Sequence, residues 1–94
     1  MAKNTPFSKL TVLDFSRYLP GGYATQVLAD LGATVIKVED TGLGDFMRHD
    51  YPTMGGGISY YVTALGRNKK SVSLNLKDSE VVDWFLKMAA EADV

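Results

Sequence analysis

Apolar positions run almost without a break through Leu10–Ser16 (LTVLDFS), which predicts a strand covered on both faces. Arg17 to Gly22 (RYLPGG) reads as a turn, punctuated by Pro20 and the pair Gly21-Gly22. From Tyr23 to Leu31 the apolar residues Ala24, Val27, Leu28 and Leu31 fall three, four and seven apart, one face of a helix. Gly32 then stands where a helix C-cap glycine belongs, and Thr34–Glu39 (TVIKVE) is a second, β-branched strand. Strand, helix and strand in so short a span make a βαβ unit with parallel strands.

The second half is more polar. Asp40 to Gly57 predicts a long loop, and Ile58–Leu65 a short helix. Ser71–Leu76 (SVSLNL) alternates, placing Val72, Leu74 and Leu76 on one side of a strand with one covered face. Asp78 or Ser79 is positioned to cap a last helix, with Glu80 and Asp83 favoured in its first turn. Val82, Phe85, Leu86 and Ala89 form that helix's expected buried stripe. Val81, Trp84 and Met88 widen the arc beyond what this chain can cover. Val94 reads as the first residue of a further strand, so the expectation is a truncated chain.

Composition narrows the class. With 94 residues the expectation is one small domain, 1–94, with a partial core. Ten Lys and Arg against eleven Asp and Glu leave a net charge of -1, without the basic footprint of a nucleic-acid binder. Absence of cysteine excludes a disulfide scaffold and a thiolate metal site, and fits a cytoplasmic protein. No apolar run reaches the roughly 18 residues of a membrane span, and the N-terminus is too polar for a secretory signal.

Several stretches invite a chemical reading. Gly21-Gly22 after a strand, with Glu39 ending the next, suggests a dinucleotide site in which the acid holds ribose hydroxyls. GGYATQ, however, lacks the G-x-G-x-x-G fingerprint, and a plain tight turn is the better account as far as NAD is concerned. DTGLGD, Asp40 to Asp45, fails as a calcium loop: positions six and twelve hold Asp45 and Tyr51 instead of glycine and glutamate. The cluster Arg67-Asn68-Lys69-Lys70 is either a phosphate clamp or a solvated turn. His49, the single histidine, lies near Asp45 and Asp50, but one histidine beside loop carboxylates is ordinary surface, and no metal is expected. Tyr60 and Tyr61 read as helix packing. Arg17, at the carboxyl end of strand one, is either a ligand contact or a surface ion-pair partner. No nucleophile, base and acid arrangement is legible.

Taken in order, VLDFSR, YATQVLADLGATVIKVE, GLGDFMR (as G-x-G-D-x-x-R), LGRNKKSVSLNLK and the tail ending in ADV resemble the class III CoA-transferase family. Its members include formyl-CoA and carnitine CoA-transferases and α-methylacyl-CoA racemase, and the resemblance runs from Leu10 to Val94. It implies an α/β fold: a Rossmann-like parallel sheet with flanking helices, the N-terminal part of a larger two-domain protein that forms interlocked homodimers. The implied reaction moves CoA between an acyl-CoA and a carboxylic acid through an anhydride and then a thioester on an aspartate. The racemase branch instead removes and returns a proton beside the thioester carbonyl.

The family's aspartate corresponds to no residue of this chain, so no catalytic residue is assigned and the chain alone is expected to be inactive. By the same resemblance, Arg17, Tyr18, Leu19 and Pro20 match one CoA-contacting segment. Leu74, Asn75, Leu76 and Lys77 match the contact with its adenine and phosphate end, and Lys77 is the charged candidate, with Lys69 and Lys70 assisting. Two positions depart from the pattern. Asp40 replaces an arginine that some relatives place against CoA, and Pro20-Gly21-Gly22 replaces A-G-P. The other classes left open are an NAD(P)-binding oxidoreductase fragment and an interaction domain using the Trp84 face.

Overall fold

The computed structural model describes residues 5–49 and 59–94. Three strands form one parallel sheet in the order β1 (Thr11–Asp14), β2 (Thr34–Glu39), β3 (Lys69–Ser73). Thr11 pairs with Thr34 and Val35 with Lys69, so β2 lies between the other two. The helices are α1 (Tyr18–Asp30), α2 (Tyr60–Leu65) and α3 (Ser79–Glu91), with a 3₁₀ turn at Phe46–His49. This is the Rossmann-like α/β arrangement expected, and no helix among the described residues is long and apolar enough to cross a membrane.

Strand β1 is shorter than its apolar run. The Asp14 carboxylate accepts the Ser16 N–H at 2.8 Å, and that local turn ends the ladder. Helix α1 then begins at Tyr18, inside the segment expected to be a turn. Pro20 is no obstacle, because N–H groups in a first helical turn have no intrahelical partner. Gly21 is needed at the next position: a Cβ there would collide with the Ser16 side chain. At the other end Gly32 has φ +108° and closes a Schellman motif, Gly32 N–H to Ala29 O and Ala33 N–H to Leu28 O, both 3.0 Å.

Helix α1 packs on the sheet through a small core of Val12, Ala29, Ala33 and Val35, flanked by Leu10 and Leu28. Ser59 caps α2 by accepting the Tyr61 N–H at 3.2 Å. Tyr60 is exposed and Tyr61 half-buried. Ile58 and the loop residues 50–57 lie outside the described residues.

Strand β3 begins two residues before the alternation suggested, because its register with β2 starts at Lys69. It also ends early. Leu74 N–H still reaches Glu39 O at 2.9 Å, but Asn75 then turns the chain through its side chain, which accepts Lys77 N–H at 3.1 Å. Leu76 is 38% exposed, so the covered side of this segment stops at Leu74.

Asp78 caps α3, accepting Glu80 N–H at 2.9 Å. The expected buried stripe is not buried. Val82 and Phe85 are half-covered, Ala89 is exposed, Leu86 is 57% exposed, and Trp84, of the widened arc, is 49% exposed. The partly covered side is Val81, Val82, Phe85 and Met88, so the stripe is displaced from the expected one, and the described residues offer little to cover α3. Among the described residues its ring contact is Phe85 edge-on to Phe15, at 4.9 Å between centroids. Beyond α3, Val94 lies at the open edge of β1: its N–H reaches Thr11 O at 3.3 Å and its carbonyl accepts Leu13 N–H at 2.9 Å, the parallel pattern.

Candidate functional site

Parallel sheets bind ligands beyond the carboxyl ends of their strands, where the connecting segments diverge. Here those segments follow Asp14, Glu39 and Ser73. Between them lies an open crevice of about 570 Å³. Phe15 and Arg17 form one wall, Asp40 to Gly42 the second, and Leu74 to Lys77 the third, with Val38 and Glu39 between them. Five of the expected site residues, Arg17, Leu74, Asn75, Leu76 and Lys77, therefore line one space although β1 and β3 flank β2 on opposite sides. Pro20 sits in the first turn of α1, exposed and outside the crevice wall. The side chains of Tyr18 and Leu19 lie outside the described residues.

The wall after β2 is built by G-x-G-D-x-x-R. Gly44 has φ +74°, and a Cβ there would stand 2.7 Å from Glu39 Oε1, so glycine is required on both counts. The turn brings Arg48 back to Glu39 in a two-pronged pair, Nε to Oε1 and Nη2 to Oε2, each 2.6 Å. Ser71 Oγ donates to Oε2 at 2.6 Å and Asp45 N–H to Oε1 at 3.0 Å. The Arg48 guanidinium, outweighing burial and helped by these donors, lowers the Glu39 carboxyl from 4.5 to about 2. The pairing raises Arg48 in turn. A glutamate so fully engaged has no oxygen left for ribose hydroxyls, which removes the feature that favoured a dinucleotide site.

Asp40 is held within its own loop. Its Oδ1 accepts Gly44 N–H at 2.9 Å and Gly42 N–H at 3.0 Å, and Arg17 Nη2 meets Oδ2 at 3.3 Å. The Gly44 N–H, then Arg17, lower the Asp40 carboxyl. Arg17 lines the crevice and is at the same time half of an exposed ion pair.

Beneath the crevice the sheet face is charged where a core is usually apolar. Lys37 meets Asp45 at 2.6 Å, with side chains 7% and 1% exposed. Asp14 takes the Thr25 hydroxyl at 2.6 Å as well as both donors of Ser16. Burial alone would raise Asp14, but the Ser16 and Thr25 hydrogen bonds and the charge of Lys37 prevail and lower it.

Lys69 also belongs to this layer. It lies 3.6 Å from Asp14 and donates to Gly22 O at 3.0 Å, and burial lowers its ammonium. The cluster Arg67–Lys70 is therefore mostly structural. Arg67 pairs with Asp30 at 2.6 Å, Asn68 joins that pair from a left-handed φ of 61°, and Lys69 points into the protein. His49 Nε2 lies 2.9 Å from Leu43 O. Among the described residues no three His, Cys, Asp or Glu side chains cluster as metal ligands. Phe15, Val38 and Thr41 are crevice residues that the sequence reading passed over; Phe15 was findable, since it sits where β1 meets the sheet's carboxyl edge.

A family model described as CoA-transferase family III matches residues 7–94. The chain belongs to CoA-transferase family III. It is 44% identical to the human succinyl-CoA:glutarate CoA-transferase over 89 residues, which is 95% of this chain and 20% of that protein. It is 40% identical to a formyl-CoA:oxalate CoA-transferase of Escherichia coli over 91 residues, 97% of this chain and 22% of that one. Among solved structures, a CAIB/BAIF family protein from Brucella suis superposes with a TM-score of 0.84 at 36% identity, over 97% of this chain and 25% of that one. The chain thus spans about a fifth of the length of the curated family III relatives named here.

Proposed function

We propose that this chain supplies the CoA-binding crevice of a family III CoA-transferase, the adenosine-phosphate end of CoA seated between Arg17 and Lys77. The observation that carries this reading is convergence: segments 57 to 60 residues apart in sequence, Arg17 and Leu74–Lys77, border one space at the carboxyl edge of a parallel sheet. The site suits such a ligand chemically. Two cations stand at its rim for phosphate, and Phe15, Val38, Leu74 and Leu76 offer apolar surface to an adenine ring. Tyr18, Leu19 and Pro20 belong to the same reading through their place in the sequence pattern.

In the whole protein the reaction is the exchange of CoA between an acyl-CoA and a carboxylic acid by way of an aspartate. That aspartate is not among the residues of this chain, whose part is to bind and orient. The two relatives quoted carry transferase names, which favours transfer over racemisation. An interlocked homodimer and a cytoplasmic location complete the proposal.

Calorimetry with CoA and with NADH tests it. CoA is the expected ligand, and Lys77→Ala is expected to weaken it roughly three- to tenfold, the loss of one exposed charge contact to phosphate. Preference for NADH, or acyl transfer by this chain alone, overturns the reading.

A further inference from the structure

Lys37 stands in the middle of a parallel sheet, on the same face as the apolar core residues Val12 and Val35. Its Nζ contacts two separate segments: Asp45 Oδ2 at 2.6 Å and Ser16 O at 3.3 Å. Ser16 immediately precedes Arg17, and Asp45 closes the turn that opens at Asp40. Burying an ion pair of this kind adds little stability. Desolvation of both ions offsets their attraction, and an apolar pair of similar volume commonly does as well. What the pair supplies, and an apolar pair does not, is a directional link of fixed length between two segments.

Each segment is pinned a second time close by. Asp14 accepts Ser16 N–H at 2.8 Å, and Glu39 accepts Asp45 N–H at 3.0 Å. The outer ends of the same two segments, Arg17 and Asp40, meet at 3.3 Å on the crevice wall. We propose that Lys37 is a positioning residue: through Ser16 and Asp45 it sets the separation of Arg17 and Asp40, and so shapes the seat for an anionic ligand group without touching the ligand. Its functional meaning rests on the CoA reading above; its geometric claim does not.

The test uses the full chain with Lys37→Met and Asp45→Asn combined, so that no lone buried ion remains and Asn Oδ1 can still accept Met47 N–H, now at 3.0 Å. Melting is expected to stay within a few degrees of the native chain. NMR titration of the Asp40 carboxyl is expected to move upward, towards an ordinary aspartate, as Arg17 and the Gly44 N–H lose their fixed places. In CoA calorimetry, Arg17→Ala is expected to cost about tenfold in the native background and under about twofold in the double variant, a coupled cycle. Independent losses, an unmoved Asp40 titration, or collapse of the fold (which would make Lys37 a stability element) each overturn the proposal. If the native chain binds no CoA, it is the CoA reading that fails, and the Asp40 titration still decides the role of Lys37.

Discussion

Glu39→Gln should unfasten the turn that builds the second crevice wall, and the cost can be worked from the structure. The Glu39 side chain is 4% exposed and Arg48, its partner, 40%. The carboxylate accepts four hydrogen bonds, two from Arg48, one from Ser71 and one from Asp45 N–H. Its fall from 4.5 to about 2 corresponds to about 3 kcal/mol of stability at neutral pH. Glutamine keeps one acceptor oxygen but turns an NH2 towards donors, so little of that is recovered. Against a total of roughly 5–15 kcal/mol for a small domain, the loss is large.

The sign follows from the direction of the shift. A depressed carboxyl contributes fully above its unfolded value and loses that contribution as pH falls through its folded value. The stabilising term is thus complete at pH 7, declines below 4.5 and is gone near 2. Urea unfolding of both chains at pH 7, 5, 4 and 3 should show a gap of about 3 kcal/mol that narrows steadily in the acid range. A gap that stays constant from pH 7 to pH 3 would refute the assignment of this stability to the ionised carboxylate.

Gly44→Ala is expected to destabilise by about 2 kcal/mol, since its positive φ and the Glu39 oxygen 2.7 Å from a Cβ both oppose a side chain; thermal unfolding reads this directly. Val12→Ala, at 2% exposure in the core, should cost about 2 kcal/mol, whereas Leu86→Ala, 57% exposed on α3, should cost under about 0.5 kcal/mol in the same denaturation assay. Equal losses at the two sites would mean that α3 is covered in solution.

The sequence by itself determined the element order, the parallel βαβ unit, the C-cap at Gly32 and the family. Each of these is written in neighbouring residues: periodicity records which faces are covered, and a glycine at a helix end records a backbone that only glycine adopts cheaply. It also placed Arg17 at the carboxyl end of the first strand, and the family resemblance added Leu74–Lys77; that both border one space is a finding of the structure. Tertiary structure alone decided where α1 begins, since the fit of Gly21 against Ser16 is a contact through space. It decided, too, that Lys69 and Lys37 turn inward to Asp14 and Asp45, and that Glu39 is spent on Arg48. A charged residue in a strand looks the same in sequence whether it faces water or a partner. The register of β3 against β2, and the return of the turn after Gly44, bring those partners together from positions that no local pattern links.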